Sequence, residues 1–248
     1  MPVTTDRTGT SPRKYARIVG ALYILIAFVG PFAFFMGRVG VVTPGDPTST
    51  VHTLLASEST FRLGMVAESI IVMAEILISA ILYVLFIPVS KPLSLASAFA
   101  RFAQTILQAV NLFTAVPALL VLGGIGYLSA FEPEQVNAIV QLFADVNAFM
   151  ILIWGLIFGF HLLLLGTLVY RSGFLPRLLG ILLFIGGVGY LAQSYGHLLA
   201  PQYDGLLATV VIILSIPGEI GFAIWLLWKG VDEDKWYALA GETAYAPS

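Results

Sequence analysis

Six stretches of this chain are long and apolar enough to cross a bilayer, and that constrains its fold more than any motif does. A spanning helix needs about 20 mainly apolar residues, and residues 16–37, 62–87, 93–122, 145–170, 176–199 and 206–228 meet the requirement. Hydrocarbon offers backbone groups no hydrogen bonds, so each stretch is predicted to satisfy its own as a helix. With 10% charged residues, against about 25% in a soluble domain, little of the chain remains for anything else. The expected fold is all-α, an integral membrane bundle of six transmembrane helices. The expected division is a disordered tail over 1–15, a transmembrane domain over 16–230 and a C-terminal tail over 231–248. The first stretch reads as an uncleaved span, since it follows a polar, Pro- and Thr-rich segment and has no Ala-x-Ala site after it.

The two longer loops carry amphipathic pieces. Residues 44–60 contain Ser49-Thr50-Val51-His52-Thr53-Leu54-Leu55, which reads as a short helix lying on the membrane surface. In 133–144, Val136, Ile139, Val140 and Phe143 fall at helical spacing and lead into the fourth span, with Glu132-Pro133-Glu134 suited to opening the helix. Basic residues occupy alternate connections: Arg7, Arg13, Lys14 and Arg17 before span one, Lys91 after two, Arg171 and Arg177 after four, Lys229 and Lys235 after six. The other loops hold Arg38 and Arg62. The expectation is therefore a multi-pass protein of the cell (plasma) membrane with both termini cytoplasmic and the amphipathic helices external.

Against this background, charges inside spans stand out. Glu219, in Ser215-Ile216-Pro217-Gly218-Glu219-Ile220, costs about 2.5 to 3.5 kcal/mol on insertion scales, which makes it a functional-site hypothesis. Helical spacing places Glu68 and Glu75 on one stripe, as it does Arg101, Gln104, Gln108 and Asn111, then Asn147, Trp154 and His161, then Tyr190, Gln193 and His197. At about 1.5 Å per residue, Glu75, Arg101, His161 and Glu219 reach similar depths near the midplane. Glu68, Asn111, Asp145, Asn147, Gln193 and His197 form a tier nearer the outside. The expected site is a polar vestibule ending in charge, with Glu75, Glu219 and His161 as catalytic candidates. Its binding candidates are Glu68, Glu75, Arg101, Gln104, Gln108, Asn111, Trp154, His161, Gln193 and Glu219.

A structural alternative stands beside each assignment. Buried amides glue helices together by interhelical hydrogen bonds, the better reading for the Gln and Asn residues. The recurring glycines are read as close helix packing. Arg101 neutralises one acid, which leaves the other a candidate for proton exchange. Pro217 frees the Ile213 carbonyl and, with Gly218, suggests the broken helices that line transporter sites, although a kink without function is commoner.

The chain has no cysteine and three histidines, His52, His161 and His197, so thiol chemistry is excluded and neither a metal nor any other cofactor is expected. His161 and His197 fall on opposite sides of the bilayer's middle, His197 in the outer tier, too far apart to clamp one haem iron. No P-loop, Gly-x-Ser-x-Gly or His-Glu-x-x-His motif occurs. The net charge is -2 and the basic residues follow topology, so no nucleic-acid partner is expected. Membrane lipids are.

The C-terminal part carries distinctive runs: Phe158-Gly159-Phe160-His161-Leu162, Tyr170-Arg171-Ser172-Gly173-Phe174-Leu175-Pro176-Arg177-Leu178-Leu179-Gly180, and Pro217-Gly218-Glu219 leading to Trp225-Leu226-Leu227-Trp228-Lys229-Gly230. With Arg17-Ile18-Val19-Gly20-Ala21-Leu22-Tyr23 near the start, these resemble the bacterial and archaeal membrane family called domain of unknown function 4386. The resemblance implies a multi-span bundle, singles out His161, Arg171, Arg177 and Glu219, and transfers no catalytic residue. The function expected is binding or transport of a small hydrophobic or proton-coupled ligand. One alternative is a membrane enzyme using a carboxylic acid on a lipid or isoprenoid; another is a non-catalytic assembly or regulatory subunit.

Overall fold

The computed structural model describes residues 11–245. Among them the regular elements are all helical: α1 (Pro12–Pro31), α2 (Pro47–Ala56), α3 (Glu58–Phe86), α4 (Lys91–Asn111), α5 (Val116–Leu122), α6 (Pro133–Ser172), α7 (Arg177–Leu199), α8 (Asp204–Trp228) and α9 (Glu233–Tyr245), with short 3₁₀ and π turns between. Six segments have the length and hydropathy of a span: Pro12–Val41, Glu58–Phe86, Lys91–Leu122, Pro133–Ser172, Arg177–Leu199 and Pro201–Trp228. They coincide with the six predicted stretches. Helix α1 starts inside the expected tail, at Pro12, a residue suited to a first turn; residues 1–10 lie outside the described residues.

Both amphipathic pieces are helical. Asp46 caps α2, its carboxylate accepting from the Ser49 amide at 3.0 Å and hydroxyl at 2.6 Å. Those two bonds hold the Asp46 carboxyl below the usual carboxylate range. At the other loop, the Gln135 side chain accepts from the Glu132 amide at 3.1 Å, and α6 then runs 40 residues without interruption.

The described residues divide into two compact units. The first takes the chain up to Leu25, Glu75–Ala103 and everything from Gly155; the second takes Ile26–Ala74 and Gln104–Trp154.

In the first unit, small residues let helix backbones touch, which matters where lipid removes any hydrophobic drive between helices. A Cβ on Gly159 of α6 would lie 2.9 Å from the Gly187 carbonyl of α7, and one on Gly218 of α8 would lie 2.8 Å from the Leu182 carbonyl. In the same unit Phe86, Leu165, Leu183, Phe222 and Leu226 are fully buried. Helix α8 continues through Pro217 as one helix from Asp204 to Trp228, so the broken helix considered from the sequence does not occur. Gly218 serves close packing instead.

In the second unit, the chain leaves Pro31 as a π turn, Phe32–Arg38. The extra residue per turn rotates the face presented inward, burying Ala33, Gly37 and Arg38 and turning Phe34, Phe35 and Met36 outward. Gly37 meets Gly64 of α3 so closely that a Cβ on it would sit 2.5 Å from the Gly64 Cα. Val41, Val51, Leu54, Phe61, Ala115, Ala118 and Val140 make the core here. Gly124 departs from the packing reading given to the glycines: its φ of 58° makes a turn.

Candidate functional site

The first unit gathers charged and aromatic side chains from six helices. Arg101 of α4, 1% exposed, directs Nη2 to Glu75 Oε1 of α3 at 3.8 Å, and Glu75 is 3% exposed. The guanidinium carbon also lies 4.9 Å from the ring centre of Tyr23 on α1 and 5.7 Å from that of Phe158 on α6. The cation is thus held by one carboxylate and two π faces, the arrangement that lets a delocalised guanidinium leave water.

His161 of α6 is 1% exposed, and its Nδ1 lies 2.9 Å from the Ser97 carbonyl of α4. A carbonyl can only accept, which assigns the proton to Nδ1. The buried Nε2 makes no hydrogen bond among the described residues. His161 stacks on Phe158 with ring centres 6.0 Å apart, Phe158 meets Tyr190 of α7 edge-on at 5.1 Å, and the Tyr190 hydroxyl donates to Glu219 Oε1 of α8 at 3.2 Å. The two acids therefore differ in their nearest partners: Glu75 lies within ion-pair distance of Arg101, whereas Glu219 is hydrogen-bonded by the Tyr190 and Ser215 hydroxyls with Arg101 farther off. Beside Arg101 and His161 runs a crevice lined by Ser79, Tyr83, Ser94 and Ser97 and too narrow to hold a water molecule.

The second unit has its own buried cation. Arg38 approaches Glu68 at 3.6 Å and donates to the Asn111 carbonyl at 3.2 Å, to the Thr114 hydroxyl, and to the Met65 sulfur at 3.2 Å. A second polar chain runs from the Thr50 hydroxyl to Gln141 at 2.7 Å and on to Asp145 at 3.0 Å. A cleft of about 30 Å³ opens among Arg38, Thr50, Thr114 and Asn147, walled by Leu54, Phe61, Val140 and Phe143.

The expected site residues divide accordingly. Glu75, Arg101, His161, Gln193 and Glu219 belong to the first unit, and Glu68, Gln104, Gln108, Asn111 and Trp154 to the second. Gln104, fully buried, donates to its chain neighbour Thr105 on the same helix at 3.1 Å. Gln193 is half-buried on α7. His197 pairs with Asp204 at 2.7 Å, across the turn from α7 to α8. The sequence reading missed Arg38, Tyr23, Thr114 and Ser97. Arg38 had a signal: it was a cation among loops otherwise nearly free of them, at the end of a span.

Helices of this length and hydropathy, with a fully buried ion pair whose cation lies against aromatic rings, define a multi-pass α-helical membrane protein. The chain belongs to the family described as domain of unknown function DUF4386, whose profile matches residues 18–230. It is similar to an uncharacterised protein of Archaeoglobus fulgidus, 32% identical over 166 residues that cover 65% of this chain and 80% of that one. No solved structure matches it.

Proposed function

We propose that this membrane protein binds a small amphipathic ligand, whose polar end enters the second unit's cleft. The supporting observation is the cleft itself, an apolar wall with a few convergent polar groups. At about 30 Å³ it admits roughly two water-sized groups, enough for a head group but not for a whole lipid. Arg38 already faces Glu68 at 3.6 Å, so the pair is neutral overall and favours a hydroxyl or carbonyl head over a carboxylate. Asn147, 9% exposed and without a side-chain hydrogen bond among the described residues, is the polar group left to receive it. The orientation with both termini cytoplasmic, and a place in the cell membrane, are part of this proposal.

The test is mass spectrometry of small molecules that co-purify with the detergent-solubilised protein, with Asn147→Leu as comparison. A neutral amphiphile retained by the wild type should be bound about tenfold more weakly by the variant, the scale of one buried hydrogen bond. Identical retention in both overturns the assignment.

Proton coupling is a second reading, supported by the Glu219–Tyr190 pair at 3.2 Å. A carboxyl whose partner is a neutral hydroxyl can exchange a proton without stranding a cation. If so, ligand retention depends on pH in the wild type and loses that dependence in Glu219→Gln; a dependence unchanged in Glu219→Gln removes this reading. The enzyme alternative gains less, because the crevice beside Arg101 and His161 leaves no space for a substrate.

A further inference from the structure

One end of the first unit holds an open basic cleft of about 440 Å³ that neither the buried acids nor the Arg38 cleft involves. Three elements each place a cation on it: Arg13 from the start of α1, Lys229 from the end of α8 and Lys235 from the first turn of α9. Asp232 is the acid among the lining residues, and Trp225 supplies an indole wall.

The geometry that brings them together is specific. Helix α8 ends when the Lys229 and Gly230 amides both turn back to the Trp225 carbonyl, at 2.8 and 3.0 Å. Gly230 takes a φ of 70°, and a Cβ there would press on Arg13 Cγ at 2.7 Å. Glycine thus ends the helix and leaves room for Arg13 to lie across it. The Arg13 Nε then donates to the Val231 carbonyl at 3.4 Å, and the Asp232 amide donates to the Phe174 carbonyl at 3.2 Å, which ties the α6–α7 turn into the wall.

The acids nearby have local duties. Asp232 accepts from the Lys235 amide at 3.3 Å and pairs with its ammonium at 3.2 Å, and Glu233 lies 3.7 Å from Arg13. Exposed pairs of this kind are weak, so a phosphate with its greater charge displaces a carboxylate from them. Lys229 has no acid within ion-pair distance among the described residues; it lies 5.2 Å from the Trp228 ring. The alternation of basic loops assigns this end to the cytoplasmic face, where anionic headgroups and phosphorylated metabolites both occur.

We infer that this cleft binds a phosphate group, with Lys229 and Lys235 as its main contacts and Arg13 closing one side. The shared chemistry is a phosphate ester, borne by an anionic phospholipid headgroup or by a soluble phosphorylated compound.

The test uses the full chain in neutral detergent and measures, by native mass spectrometry, binding of short-chain phosphatidylglycerol and separately of inorganic phosphate. The double variant Lys229→Gln/Lys235→Gln should bind at least about tenfold more weakly, the loss expected for charge-assisted contacts. Arg13→Gln should give a smaller loss, and Lys91→Gln, an exposed lysine outside the cleft, none. Because these residues are exposed, an unchanged unfolding midpoint separates lost contact from lost fold. Phosphatidylglycerol binding that inorganic phosphate does not displace identifies the headgroup, and matched competition identifies a soluble phosphate. Equal binding by the double variant and the wild type, or an equal loss with Lys91→Gln, overturns the proposal.

Discussion

Replacing Glu75 by Gln should be among the most damaging isosteric changes in the chain. Glu75 and Arg101 stand 3.8 Å apart at 3% and 1% exposure. At an effective dielectric of about 20, two charges at that separation attract by about 4 kcal/mol. The substitution keeps the volume and removes the carboxylate charge within ion-pair distance of a guanidinium that also packs on the faces of Tyr23 and Phe158. Stacking on aromatic faces contributes about 2 kcal/mol when desolvated, too little to replace the carboxylate. Breaking one side of a buried pair costs about 3–5 kcal/mol, and that is the loss expected for Glu75→Gln. Arg101→Met should cost a similar amount, because it removes the cation within ion-pair distance of the buried carboxylate. The double variant should be far milder than the sum, since replacing both partners of a buried pair is often neutral or stabilising. The assay is reversible unfolding from mild detergent into denaturing detergent for all four proteins of the cycle. A Glu75→Gln loss below about 1 kcal/mol, or additive single losses, would show that the pair is not desolvated and refute the reasoning.

Gly159→Leu should disrupt α6 against α7, because even a Cβ there lies 2.9 Å from the Gly187 carbonyl; the expected cost is about 1–3 kcal/mol, read in the same unfolding assay, and Gly30→Leu, where nothing lies within 4 Å, serves as the tolerated comparison. The α2 cap should weaken with acid. Asp46 sits below the usual carboxylate range because it accepts from Ser49, so its contribution is fully present above the unfolded Asp value of about 3.9 and is lost as pH falls through the lower folded value. Hydrogen exchange at the Ser49 amide should accelerate over that window, and Asp46→Ala should exchange quickly at every pH.

The spans were legible because length and hydropathy are local properties, and the short helix α2 and the uninterrupted entry into α6 follow from residues within a turn or two of each other. The interior was legible only by depth. Counting 1.5 Å per residue brought Glu75, Arg101, His161 and Glu219 to one level, yet depth carries no information about which acid faces the arginine. That depends on how α1, α6 and α7 present Tyr23, Phe158 and Tyr190, none of them charged and none remarkable in an aromatic-rich chain. The stripe Arg101, Gln104, Gln108, Asn111 illustrates the same limit, since one helical face runs from the first unit into the second. Arg38 was hidden for another reason. An α-helical register carried on from α1 does not anticipate the π turn after Pro31, which changes the facing of the residues up to Arg38.

The partners also alter the argument about proton exchange. One arginine against two buried acids leaves the choice symmetrical on the page of the sequence. In the fold it is not: Arg101 is committed to Glu75 at 3.8 Å, whereas Glu219 accepts from Tyr190 at 3.2 Å and makes no ion pair among the described residues. Removing the charge on Glu75 takes away the anion within ion-pair distance of Arg101, whereas removing it on Glu219 takes away one farther off. Glu75→Gln should therefore fail in stability, while Glu219→Gln should remain folded and differ in its response to protons. If the two variants exchanged these behaviours, Glu75 would be the proton site and the neutral-partner argument would fail.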